Sequence, residues 1–208
     1  MKLYSYFRSS SAWRVRIALH YKNLPFEYQS VHLLHKEQQR DEYRALNPMQ
    51  QVPTLVLDDG RRLTQSIAII EYLEERAPEP PLLPRDPYLR GKARSYAEII
   101  NSGIQPFQNT ETQRYLKHDV KTDEQSFSRH FIDRGLQALE AAAQETRGRF
   151  LVGDSPTVAD VFLVPQLFGA RRFGADLNRI PTLLEIEAAC NELPAFRSAL
   201  PENQPDAQ

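Results

Sequence analysis

The sequence predicts an α/β N-terminal domain with the element order βαβαββα, followed by an all-α C-terminal domain. Three observations carry that expectation. Short strand patterns alternate with helical ones as far as Arg76, five prolines crowd the next stretch, and the remainder has helical periodicity with almost no strand signal. The chain of 208 residues is long enough for two compact domains of roughly 80 and 120 residues, expected at 1–80 and 86–208. Between them Pro78, Pro80, Pro81, Pro84 and Pro87 form a stiff linker that sustains neither helix nor ladder hydrogen bonds.

Each element has a local reason. Lys2 to Tyr6 reads as a strand, and Ser9-Ser10-Ser11 then precede a helix whose apolar positions begin at Ala12 and Trp13 and recur through Leu19. Phe26 to Val31 reads as a second strand and Glu37 to Leu46 as a helix, which Asn47-Pro48 stops. Val52 to Leu57 and Arg62-Leu63 flank Asp58-Asp59-Gly60, a hairpin signal. Ser66 is placed to cap a helix reaching Arg76, because Ile67, Ile70 and Leu73 share one face. Beyond the linker, Asp86-Pro87 is an N-cap with proline at the first helical position. Thr157-Val158-Ala159-Asp160 is a capping box ahead of the apolar run from Val161. By composition, Glu202 to Gln208 is expected to be disordered.

Composition removes several function classes. Hydrophobic residues make up 41%, charged residues 25%, and the net charge is -1, so the chain has no polycationic surface with which to grip nucleic acid. The only cysteine, Cys190, excludes an internal disulfide and a cysteine-rich metal centre. No apolar run approaches the ~20 residues of a membrane span, and Met1-Lys2-Leu3-Tyr4 leads straight into strand pattern, which gives the expectation of a cytoplasmic protein. The five histidines lie apart without metal-ligand spacing.

Three segments have chemical potential. Arg8-Ser9-Ser10-Ser11 brings hydroxyls and backbone N–H groups to the positive end of a helix, which either caps that helix or holds an anion. Gln65-Ser66 offers the same choice between an N-cap and a carboxylate site. The Val52-Pro53 step is either an ordinary strand start, the reading that sequence favours, or a cis turn that exposes the Val52 backbone to a peptide ligand.

Together these segments carry a family resemblance. The run from Ser9 to Leu19 resembles the opening signature of zeta-class glutathione transferases. Asn47 to Leu55, Gln65 to Glu75, Gly103-Ile104-Gln105-Pro106 with Gln108-Asn109, and Val152-Gly153-Asp154 with Thr157 to Asp160 continue it across nearly the whole chain. The resemblance implies the glutathione transferase fold: a thioredoxin-like N-terminal domain, an all-helical C-terminal domain and a homodimer. It also implies glutathione as cofactor and the family's isomerisation of maleylacetoacetate or maleylpyruvate. One departure stands out, because Ser11 occupies the position where the family usually has cysteine. The nucleophilic thiol must then come from glutathione.

By resemblance Ser9 matches the hydroxyl that stabilises the thiolate, with Ser10 and Ser11 beside it as alternatives. Gln65 and Ser66 match the γ-glutamyl site, Val52 and Pro53 the cysteinyl backbone site, and Gln38, Gln105, Asn109 and Thr110 further glutathione contacts. A dicarboxylate substrate also needs fixed cations, and Arg8, Arg171 and Arg172 are the candidates, with Arg114 a further one, because guanidinium groups bind carboxylates in bidentate fashion. Arg172 matches the family's arginine before phenylalanine. The function expected on this basis is glutathione-dependent cis–trans isomerisation of maleylpyruvate to fumarylpyruvate. Its competitors are maleylacetoacetate isomerisation, conjugation or dehalogenation of small α-halo acids, and a non-catalytic dimeric binding module of the same fold.

Overall fold

The strand starting at Lys2 is central in its sheet, with Leu3 and Ser5 on one face fully buried and Lys2 and Tyr4 on the other half-buried. In the computed structural model, which describes residues 1–207, four strands form one sheet: β1 (Lys2–Ser5), β2 (Glu27–Ser30), β3 (Thr54–Val56) and β4 (Arg62–Thr64). Their order is β2-β1-β3-β4, with β1 parallel to β2 and the other pairs antiparallel. Leu3 faces Leu55 across the ladder, and both are fully buried. Parallel pairing of β1 with β2 requires a crossover, supplied by α1 (Ser10–Tyr21), whose residues Ala12 to Leu19 are all buried.

The helix expected over 37–46 is broken. A short 3-10 turn, Glu37–Gln39, ends at Arg40, whose extended backbone (φ −67°, ψ 149°) separates it from α2 (Asp41–Leu46). After the hairpin, α3 (Ser66–Arg76) starts from Gln65, which has φ 69°. Lys22 then pins the chain that follows. Its ammonium donates to the carbonyls of Ala77 (2.6 Å) and Pro80 (3.0 Å) and pairs with Glu74 at 2.6 Å. The first half of the proline stretch is thereby tied to the sheet domain.

The helical region contains α4 (Pro87–Asn101), α5 (Gln105–Gln108), α6 (Thr110–Tyr115), a π-turn (Leu116–Val120), α7 (Glu124–Ala143), α8 (Val158–Arg172) and α9 (Pro181–Asn191). Both sequence-level caps are present, with Asp86 accepting from Leu89 N–H at 2.9 Å and Thr157 and Asp160 closing a reciprocal box. Nearly all of α8 is buried, including Pro165 within it, and α4 packs along it.

Contacts divide the chain into two bodies. One comprises Met1–Leu82 together with the segment from Glu192 onward, and the other comprises Leu83–Asn191. The stretch from Glu192 onward follows the helical region in sequence and packs with the sheet body. It is structured, including residues 202–207, where disorder was expected from Glu202 onward. It forms α10 (Pro194–Ser198) and a 3-10 turn (Pro201–Asn203), Gln204 is buried, and Asp206 accepts two hydrogen bonds. Its polar groups have partners within the protein: Asn203 and Gln204 donate to backbone carbonyls, and Asp206 accepts from Phe7 N–H and the Tyr28 hydroxyl; Gln208 lies outside the described residues.

Candidate functional site

Strand β1 ends at Ser5, and its chain turns through Tyr6, Phe7 and Arg8 into α1. Ser9 is the N-cap of that helix, with extended backbone and a side-chain oxygen that accepts from Ala12 N–H at 3.2 Å. Its own N–H donates to the Tyr6 carbonyl at 2.9 Å. A serine hydroxyl has one hydrogen and two lone pairs, so capping occupies an acceptor and leaves the donor. Capping and anion binding are therefore compatible at this residue. Ser10 and Ser11 follow as the first two helical residues, both half-buried. Arg8 is exposed, with its guanidinium over the Phe7 ring (5.1 Å) and its Nη2 donating to the Tyr6 hydroxyl (3.1 Å).

The other glutathione-site candidates of this body lie on its remaining turns. Val52-Pro53 is cis, which corrects the expectation of an ordinary strand start. The preceding turn is fixed because the Gln51 carbonyl accepts from the Tyr43 hydroxyl and from Asn47 Nδ2, both at 2.7 Å. Burial pushes the Tyr43 hydroxyl up to about 12, so it stays a donor there. Gln38 lies in the 3-10 turn, and its Oε1 is buried with no hydrogen-bond partner among the described residues.

Ser66 does not cap α3 as the sequence suggested. It is the first helical residue, the cap position belongs to Gln65, and the Ser66 oxygen accepts from Arg14 Nη1 at 3.3 Å. Arg14 is fully buried in α1. A buried cation thus backs the Ser66 hydroxyl at the positive end of α3, and Gln65 is exposed beside it. The Ser9 and Ser66 hydroxyls each accept one hydrogen bond and so each keep a hydrogen to donate.

The helical body holds the remaining candidates. Asn109 caps α6 by accepting from Glu111 N–H at 3.1 Å, with Thr110 exposed as the first helical residue. Gln105 accepts from Gln108 at 3.2 Å, and Gln108 exchanges amide hydrogen bonds with Gln166 of α8 (2.8 and 3.1 Å) in the interior. Arg114 is exposed near Glu111, at 3.7 Å. Arg171 and Arg172 end α8, where the helix dipole favours cations. They differ in their partners. Both terminal nitrogens of Arg171 donate to Glu187, one at 2.7 Å, and this pairing holds Arg171 more firmly protonated, whereas Arg172 lies over the Phe173 ring at 5.6 Å.

Sequence reasoning missed the buried arginines as structural centres. Arg14 and Arg16, at i and i+2 in an otherwise apolar helix, were a visible signal, since long charged side chains inside such a run must find buried partners.

Comparison with known proteins places this arrangement. Residues 3–81 match the family model for the glutathione S-transferase N-terminal domain, and residues 132–201 match that for the C-terminal domain. The chain belongs to the glutathione S-transferase family. This transferase-family chain is 47% identical over 206 residues to a probable maleylacetoacetate isomerase of Drosophila melanogaster, covering 98% of this chain and 89% of that protein. Among solved structures, a maleylacetoacetate isomerase of Anaeromyxobacter dehalogenans with glutathione in its active site is 52% identical. It has a TM-score of 0.92 and covers 100% of this chain and 97% of its own. The same isomerase has also been solved with dicarboxyethyl glutathione and citrate. A bacterial maleylpyruvate isomerase of the zeta class is 44% identical, with a TM-score of 0.96 and full coverage of both chains. Among the described residues, no helix is long and apolar enough to cross a membrane.

Proposed function

We propose that this chain is a glutathione-dependent cis–trans isomerase of a maleyl keto acid, with Ser9 as the residue that stabilises the reactive thiolate. The observation that carries the reading is the Ser9 hydroxyl, whose acceptor side is used by Ala12 N–H and whose hydrogen is left to donate. Full-length similarity to isomerases of both maleylpyruvate and maleylacetoacetate supports it.

Glutathione, when bound, supplies a thiolate able to add reversibly to a double bond conjugated with a ketone. For the chain's own residues, the energetic demand is modest. A thiol of pKa about 8.5 needs about 2.7 kcal/mol of preference to be mostly ionised at neutral pH. A charge-assisted hydrogen bond from Ser9, about 1.5–3 kcal/mol, and the N-terminus of α1, about 0.3–1 kcal/mol, cover it without a general base. Ser66 and Gln65 hold the γ-glutamyl carboxylate, the Val52 backbone beside Pro53 holds the cysteinyl unit, and Gln38 accepts from a peptide N–H. Gln105, Asn109 and Thr110 are further ligand contacts, and Ser10 and Ser11 frame the sulfur. Arg8 and Arg172 bind the two carboxylates of the substrate and favour charge developing on its keto oxygen. Arg171, already joined to Glu187, and Arg114, close to Glu111, contribute less. The chain works as a cytoplasmic homodimer on this reading, which sedimentation at micromolar concentration checks.

The two substrates differ by a methylene, worth about 1–3 kcal/mol of discrimination. Maleylpyruvate is our first choice. Higher identity to two relatives named for maleylacetoacetate favours the second. Following the ultraviolet absorbance of each compound with and without glutathione tests the proposal. Isomerisation that needs glutathione is expected for at least one, and none for either refutes it.

A further inference from the structure

Arg16 is fully buried and makes five hydrogen bonds, one for each N–H of its guanidinium. Nε and Nη2 donate to the Ala199 carbonyl (3.2 and 3.0 Å), Nη1 to the Ser5 hydroxyl (3.1 Å) and the Tyr6 carbonyl (3.3 Å), and Nη2 also to the Phe7 carbonyl (2.9 Å). Burial lowers its pKa to about 10, which leaves it a cation at neutral pH. Asp206 completes the grip. One carboxylate oxygen accepts from Phe7 N–H at 3.2 Å and the other from the Tyr28 hydroxyl of β2 at 2.6 Å. Ala207 packs on the cluster of Tyr6, Phe7, Ala12 and Val52. Both backbone groups of Phe7 are therefore held from outside the sheet and helix ladders. The Tyr6 carbonyl gripped by Arg16 is also the acceptor of Ser9 N–H.

We propose that Asp206, together with Arg16, is a positioning residue: the segment after α10 acts as a strap that fixes the turn from β1 into α1 and so aims the Ser9 hydroxyl. The proposal rests on the reading of Ser9 given above. The hydrogen bonds of Arg16 and Asp206 end on Ser5, Tyr6, Phe7, Ala199 and Tyr28, and the two that hold Phe7 lie two residues before Ser9. A hydroxyl that must meet a sulfur along one direction tolerates little rotation of its backbone, so slack at Phe7 weakens the donor without removing it.

The variants that test this are Asp206→Ala, Asp206→Asn and Tyr28→Phe, with Ser9→Ala as reference. Without glutathione, amide exchange at Phe7 and Ser9 in Asp206→Ala is expected to rise about tenfold. With glutathione, the acid limb of the kcat profile and the thiolate absorbance of the binary complex should move up by about half a unit to one unit, lowering kcat about 1.5- to 3-fold at pH 7. The KM for glutathione should stay within about twofold. Asp206→Asn keeps one acceptor oxygen and falls between alanine and wild type, which serves if the alanine variant does not fold. Tyr28→Phe leaves the Phe7 bond and has the smaller effect. An acid limb that stays in place, even with a lowered Tm, overturns the proposal, because a purely structural strap would act on stability alone. If Ser9→Ala retains wild-type kcat, the reading of Ser9 fails, and the exchange at Phe7 still reports whether the strap holds the turn.

Discussion

The serine turn of the sheet body and the arginine end of α8 both present charge-handling groups at a helix terminus, but they are held in opposite ways. At the turn, the backbone itself is gripped by a buried arginine and an aspartate, so Ser9 inherits its position from main-chain bonds. At the end of α8 the backbone is ordinary helix, and only side-chain partners separate Arg171 from Arg172. The difference teaches that identical neighbouring residues need not share a role. A guanidinium already bidentate on Glu187 has its fork occupied, whereas the one over a phenylalanine ring is, on the proposed reading, the one that takes a substrate carboxylate.

The largest effect expected lies at the turn. Ser9→Ala should lower kcat about 10- to 150-fold, the worth of one charge-assisted hydrogen bond, with glutathione binding nearly unchanged by calorimetry. Loss in Ser11→Ala with Ser9→Ala near wild type would move the role two residues along. Next comes Arg172→Lys, which keeps the charge but loses the fork and should cost about 5- to 30-fold in kcat/KM for the dianion. A neutral ester converted as fast as the dianion would remove the clamp from the mechanism.

Smaller effects sharpen the contrast between the two ends of α8. Asp160, at the buried N-terminal end, has its pKa raised from 3.8 to about 6 because burial outweighs its hydrogen bonds from Leu151 and Thr157. The folded chain then binds this proton more tightly than the unfolded chain. Its contribution to stability is present at low pH and falls as pH rises through 3.8 to about 6. Subtracting the Tm profile of Asp160→Asn from that of wild type should show this slope, and a flat difference would contradict it. Smallest of all, Arg171→Ala should change kcat/KM by less than about twofold and stability by about 0.2–1 kcal/mol, as for a partly exposed ion pair. A loss matching that of Arg172 would abolish the distinction drawn here.

What the sequence disclosed follows the range of the interactions. The Ser9, Asp86 and Thr157 caps were legible because each joins a side chain to backbone two or three residues away, with a residue-type signature. The order of strands and helices through Arg76 was legible for the same local reason. The break at Arg40 was not, since nothing in Glu37 to Leu46 departs from helical pattern except the backbone that Lys36, at φ 57°, and Arg40 adopt. Nor were Arg14 with Ser66, Arg171 with Glu187, or Asp206 with Phe7, which are 52, 16 and 199 residues apart. Those partners are chosen by the packed fold. The polar composition of Glu202 onward read as disorder because a strap and a solvated tail contain the same residue types.

Arg16 also orders events in time. Three of its five hydrogen bonds end on Ser5, Tyr6 and Phe7, yet the Ala199 carbonyl and the Asp206 carboxylate that complete its surroundings are translated after the entire helical body. A nascent chain that has reached residue 82 holds the sheet's four strands but leaves water in the place of Ala199 on the guanidinium. Of the two holds on Phe7 it has only the one from Arg16. The grip on the serine turn is complete only once Asp206 has been joined.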